Sequence, residues 1–167
     1  MSSKTIIGVI AVAVLAGVVA LSSGYMAPSG AEPEMVGGKT PFDAKRAFAD
    51  LEYVVGLGPR PSGSEAIEAT RAFIRQELAK AGLEVLEQPF EAATPLGPKK
   101  MVNLTGIVQG SQAGIIILGN HYDTKYFADF TFVGANDAGS TTALMLEMAR
   151  ILGPRREGCT VWLCFFD

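Results

Sequence analysis

The stretch "IIILGNHYDTKYF", Ile115 to Phe127, decides the fold. Its continuously apolar opening reads as a strand buried on both faces. His121, the only histidine in the chain, stands just past that run, after Gly119, and Asp123 follows two residues on. In open α/β sheets, sites form at the carboxyl ends of strands. Asp123 is close enough to accept a hydrogen bond from one imidazole nitrogen. Such a bond fixes the tautomer and aims the other nitrogen outward. Each residue also has a plainer use. A lone histidine at a strand end is often a hydrogen-bonding loop residue, and Asp123 suits a turn.

Working outward, the elements alternate. "TPFDAKRAFADLEYVVGLG" predicts a helix capped by Thr40, with Pro41 in the first position and an apolar stripe of Phe42, Phe48, Leu51 and Val55. "PRPSGS" is a turn-rich loop. Ser64 then caps a second helix over 65–81, closed by Gly82, with the stripe Ile67, Phe73, Ile74 and Leu78. "LEVLEQPFEA" reads as a strand, placed at a sheet edge by Pro89, and "TPLGPKK" as a loop. "MVNLTGIVQG" and "AGIIILG" read as consecutive strands. "DAGSTTALMLEMARILG" predicts a helix stopped by Gly153-Pro154, and "CTVWLCFFD" a second continuously apolar strand. This order implies an α/β layer fold with a mostly buried central sheet.

The N-terminus reads differently. Ile6 to Leu21 is unbroken Ile, Val, Ala, Leu and Gly behind one lysine, as in a signal peptide or an uncleaved membrane anchor. Both readings send the remainder out of the cytoplasm: periplasmic, extracellular, or membrane-anchored through residues 5–24 and facing outward. The expected organisation is a targeting segment over 1–24, a Pro/Gly/Ser-rich tether over 25–39, and a folded domain over 40–167.

Bulk properties narrow the partners. The net charge is −3, and no run of Lys or Arg exceeds two residues. This excludes the concentrated basic face that nucleic acids require. Cys159 and Cys164 lie five apart on one strand and face opposite sides, so no disulfide between them is expected.

Sixteen residues beyond His121, in "GANDAG", Asp137 stands at the expected start of a helix. There it is either a helix cap or a metal ligand. His121 and Asp137 are two candidate ligands, and zinc takes three or four.

"LGPRPSGSEA", "NLTGIVQG", "ILGNHYDTKYF", "FVGANDAGSTTALMLEMARIL" and "VWLCFFD" occur in an order that resembles the zinc aminopeptidase and glutaminyl cyclase family, peptidase family M28. The resemblance runs from about Phe42 to Asp167. "HYDTKYF", "FVGANDAG" and "TPLGPKKMVNL" look closer to the glutaminyl-peptide cyclotransferase branch. The resemblance implies a three-layer phosphorylase-like α/β fold, here truncated. Its central sheet is mixed and mostly parallel, with helices on its flanks.

It implies that Asp137 binds zinc in both branches, and that His121 is a ligand only of the second zinc of the aminopeptidases. The cyclase reading thus carries one zinc and the aminopeptidase reading two. Asp123 matches the residue that orients the histidine. Lys125, Tyr126, Phe127, Phe130 and Phe132 match the loop lining the site mouth, where a substrate pocket and simple anchoring in the core are equal alternatives. The implied substrates are peptide or protein N-termini.

In the family, the strand matching "VWLCFFD" is followed by Gly-Glu-Glu, whose first glutamate is the general acid/base and whose second binds zinc. A further aspartate and a late histidine complete the site. The sequence stops at Asp167 with no Glu-Glu pair and no second histidine. No catalytic residue is expected in it, and the 167-residue chain alone is expected to be inactive. The alternatives to a cyclotransferase are a zinc aminopeptidase and a non-catalytic binding module that kept the fold.

Overall fold

The computed structural model describes residues 41–167. The expected targeting segment, the tether and Thr40 lie outside the described residues. The first helix, α1, is Ala44–Gly56, and its cap is Asp43, whose carboxylate accepts from the Arg46 N–H at 3.0 Å. The helix thus begins later than the expected Thr40-Pro41 start, because Asp43 is the first side chain able to take a free N–H of the first turn.

Its inward face is Ala47, Asp50 and Val54. Phe42 and Phe48 from the expected stripe are exposed, Phe48 at 59%. The buried face is chosen by an acid: Asp50 turns inward to meet Arg150 at 2.5 Å. A stripe drawn from apolar residues alone misses that choice.

Helix α2, Glu65–Lys80, is capped by Ser64, which accepts from the Ile67 N–H at 3.1 Å. Ile67, Ile74 and Leu78 are fully buried, as the periodicity predicts, while Phe73 packs partly buried against the Tyr53 ring. Strand β1, Glu84–Thr94, and strand β2, Gly97–His121, form a hairpin closed between Thr94 and Gly97. Most of the expected "TPLGPKK" loop is therefore strand, since the turn needs only Pro95 and Leu96. Pro89 lies on β1 at the sheet edge, where a missing N–H costs no ladder bond.

Helix α3 is Thr141–Leu152, and strand β3 is Arg155–Phe166. Strand β2 bends into two arms, and β3 lies between them. Leu104–Val108 runs against Phe165–Val161, whereas Ile115–His121 runs alongside Thr160–Phe166. The sheet is therefore mixed. The parallel pairing brings the carboxyl ends of the second arm and of β3 together, and the Tyr122 N–H to Phe166 carbonyl bond of 2.8 Å extends it one step.

Leu104 and Val108 on β2, with Val161, Leu163 and Phe165 on β3, alternate onto one face. There they meet Ile67, Ile74 and Leu78 of α2 and Met145, Leu146 and Ala149 of α3. Burying each Val, Leu, Ile, Phe or Met side chain of this cluster contributes about 1.5–3 kcal/mol. Gly106 lets α2 come close, because a Cβ there would lie 2.9 Å from Leu78 Cδ2. Ile115, Ile116 and Ile117 were expected to be buried on both faces, yet they are exposed at 53%, 46% and 60%. Among the described residues, this arm is paired only with β3, so neither of its faces is fully covered.

Charged groups tie the helices together. Arg150 reaches Asp50 of α1 and Glu77 of α2, and the fully buried Glu147 holds Arg46 at 2.7 Å. The Arg46 guanidinium, helped by the Asp43 N–H and Arg150, outweighs burial and pushes the Glu147 carboxyl down to about 2. Both cysteines are free, as expected.

Candidate functional site

His121 ends β2, and its ring lies between two carboxylates. Nδ1 is 3.0 Å from Asp123 Oδ1, and Nε2 is 2.9 Å from Asp137 Oδ1. The sequence reading aimed Asp123 at one nitrogen and left the other outward. The structure brings all three side chains together, with Asp137 as the outer partner.

Asp137 is not the cap of α3. It lies within a wide turn, Ala135–Ser140, with non-helical backbone at Asp137 and Ala138, and the regular helix begins at Thr141. The plain helix-cap reading of Asp137 therefore does not hold. Its carboxylate is 71% exposed and meets His121. The turn is held by a bond from the Gly139 N–H to the Gly134 carbonyl, 2.9 Å, and Gly134 has a left-handed φ of 55°. Only glycine suits this place, since an added Cβ would fall on the Asp137 carbonyl oxygen.

A neutral imidazole donates one hydrogen bond, so flanking carboxylates leave one nitrogen facing an acceptor. The Nε2–Asp137 pair is satisfied either by a second proton or by a cation shared between imidazole and carboxylate. In kind, this donor set suits zinc: one imidazole, one carboxylate, and a second carboxylate behind the ring. In number it supplies part of a site, because no group of three or more His, Cys, Asp or Glu is placed to hold one metal ion among the described residues.

The loop after Asp123 carries the expected aromatics. Phe127 stacks on Phe130 at 4.3 Å and meets Phe132 edge-on at 5.4 Å, and the Lys125 ammonium lies 5.1 Å from the Phe127 ring centre. These residues line a cavity of about 350 Å³ with Pro59 and Pro61. Tyr126 and Phe130 are exposed. A second concavity of about 400 Å³ is lined by Asp123, Lys125 and Tyr126 together with Leu96 and Lys99 of the hairpin. The loop aromatics thus wall cavities and stay outside the core cluster.

Several residues went unnoticed in the sequence. Tyr122 is fully buried, donating to the Val102 carbonyl at 2.7 Å and accepting from Arg71 Nε at 2.9 Å; burial raises its phenol above the usual range. Arg71 also pairs with the buried Asp167 carboxylate at 2.6 Å. Asn120 braces the start of α3 through Thr141 and Thr142. Arg60 is fully buried in the "PRPSGS" loop. The one available signal was an arginine between two prolines, in a turn with no other charge.

Residues 103–167 match the model of Peptidase family M28. The glutaminyl-peptide cyclotransferase-like protein of Mus musculus is 37% identical over 97 residues, covering 56% of this chain and 25% of that protein. The crystal structure of an Acidobacteriales bacterium glutaminyl cyclase is 32% identical, with a TM-score of 0.69, covering 82% of this chain and 48% of that one. A Zn-dependent exopeptidase from Parabacteroides distasonis is 25% identical, with a TM-score of 0.66, covering 77% and 47%.

The α/β fold is shared with solved structures of glutaminyl cyclases and of a Zn-dependent exopeptidase. Residues 103–167 carry the match to peptidase family M28, and the chain corresponds to a partial region of the glutaminyl cyclases it is similar to. It spans about a quarter of the mouse relative and about half of the solved structures.

Proposed function

We propose that the chain is part of an exported, zinc-dependent glutaminyl-peptide cyclotransferase, which converts an N-terminal glutamine to pyroglutamate and releases ammonia. The observation that carries this reading is the Asp123–His121–Asp137 array, on a chain similar to proteins named as glutaminyl cyclases. Asp137 would hold the zinc, which when bound supplies a Lewis acid for the γ-amide carbonyl of the substrate. Asp123 fixes the imidazole of His121, and His121 in turn holds the Asp137 carboxylate in place. The aromatic loop, Lys125 to Phe132, walls the approach for a peptide N-terminus. In the reaction, the substrate's α-amine forms a bond to the γ-carbonyl carbon, and the carbon–nitrogen bond to the departing ammonia breaks. The proton that the α-amine gives up leaves with the ammonia.

A second reading, a zinc aminopeptidase, is favoured by the direct approach of Nε2 to the Asp137 carboxylate, since a shared pair of this kind suits His121 as a ligand of a second ion. Replacing His121 by alanine in protein made from the whole reading frame separates the two. A cyclotransferase is impaired but retains turnover, whereas a two-zinc aminopeptidase loses activity altogether. Complete loss of cyclisation in His121→Ala would overturn the single-zinc form of the proposal.

A further inference from the structure

We infer that Arg60 is a positioning residue for this site: its buried guanidinium fixes both ends of the loop that separates His121 from Asp137. The inference rests on the reading of His121 and Asp137 as the site, and not on which reaction the site performs. Nε donates to the Tyr122 carbonyl at 2.9 Å, next to His121. Nη1 donates to the Val133 carbonyl at 2.7 Å, and Nη2 to the Gly134 carbonyl at 3.2 Å. The two ends of the loop are thus gathered on one rigid planar fork.

The backbone of Arg60 adds a second clasp. Its N–H donates to Thr124 Oγ1 at 2.9 Å, and its carbonyl accepts from the Thr124 N–H at 3.2 Å. The Gly134 carbonyl that Arg60 holds also accepts from the Gly139 N–H, closing the turn that presents Asp137. One side chain therefore reaches the backbone on both sides of the 2.9 Å His121–Asp137 contact.

The cost of this arrangement argues for its use. Arg60 is fully buried and makes no ion pair among the described residues. A buried guanidinium satisfied only by carbonyls is expensive to desolvate. Arg71 and Arg150, the other well-buried arginines, both sit on carboxylates. A loop needing only to be covered would be held by apolar packing. Three carbonyls held at set positions need a fork with several donors.

The test uses the sole histidine as its own reporter. Long-range proton–nitrogen NMR spectra of the nitrogen-15-labelled chain, at one fixed neutral pH, report whether each ring nitrogen of His121 is hydrogen-bonded. The wild type is expected to give one bonded ring pattern. Arg60→Gln is expected to lose it and move the ring signals to those of free imidazole, while near-ultraviolet dichroism shows the core still packed. Thr124→Val removes only the clasp to the Arg60 N–H and is expected to shift the signals part of the way; it decides the matter if Arg60→Gln fails to fold. Arg75→Gln, which breaks only the exposed pair with Glu87, is expected to leave them unmoved.

A folded Arg60→Gln with wild-type His121 signals overturns the role, as does an unmoved Thr124→Val where Arg60→Gln does not fold. A wild-type ring that is itself unbonded overturns the site geometry and, with it, the proposed function. That outcome is distinct from failure at Arg60.

Discussion

Nε2 of His121 stands 2.9 Å from Oδ1 of Asp137, sixteen residues away in the chain. The contact joins the carboxyl end of a strand to a wide turn ahead of a helix. Asp123 lies on the opposite nitrogen. This arrangement makes Asp123 a tuner of whatever Nε2 and Asp137 hold. In calorimetric titration with zinc, the 167-residue chain should bind weakly, because two donors fall short of a closed site. Asp137→Asn should abolish saturable binding, and Asp123→Asn should weaken it by about 10–100-fold. Unchanged affinity in Asp137→Asn would remove that residue from the metal site.

Gly134 sets the angle at which Asp137 is presented. A methyl group at this left-handed position would meet the Asp137 carbonyl oxygen and lie 2.8 Å from Thr124 Cγ2. Gly134→Ala should cost about 1–3 kcal/mol in urea unfolding. It should also lose the bonded His121 ring pattern, whereas Gly56→Ala, in open space at a helix end, should do neither.

The Arg71–Asp167 pair anchors the end of β3 beside Tyr122. Both side chains are buried, so removing one partner strands the other. Asp167→Asn should destabilise by about 3–5 kcal/mol. The double change Arg71→Met with Asp167→Asn should cost less than the sum of the single changes. Additive losses in this double-mutant cycle would show that the two side chains do not depend on each other.

Glu147 gives the helical layer an acid limit. Its carboxyl is held at about 2, below an ordinary value of 4.5. A depressed folded-state value stabilises the fold above the unfolded value and is lost as pH falls through the folded one. Stability should therefore decline between about pH 4.5 and pH 2, by about 3 kcal/mol from this group. Glu147→Gln should be less stable at neutral pH and show a flatter acid profile in the same range.

Much of this was legible in the residues. Ser64 and the stripe Ile67, Ile74 and Leu78 announced α2, because its apolar period is regular and its cap is unambiguous. His121 with Asp123 marked the site, because a strand end followed by H-x-D has local geometry. Helix α1 was placed early and on the wrong face, since its orientation depends on Asp50 finding Arg150, a residue one hundred positions away. The turn around Asp137 hid within a helical pattern, as backbone that departs from the helix at a site leaves no periodic trace. Arg60 was missed for the same reason, since its side chain meets only backbone carbonyls, which carry no sequence, and Tyr122 because Arg71 and Val102 lie far from it in the chain.

The most direct measurement is the fate of a peptide bearing an N-terminal glutamine, followed by mass spectrometry with protein made from the whole reading frame and zinc supplied. The proposal predicts a pyroglutamyl peptide and one equivalent of ammonia, with both products lost in Asp137→Ala. Release of free glutamine from the peptide, with no pyroglutamyl product, would contradict it and establish hydrolysis of the first peptide bond instead.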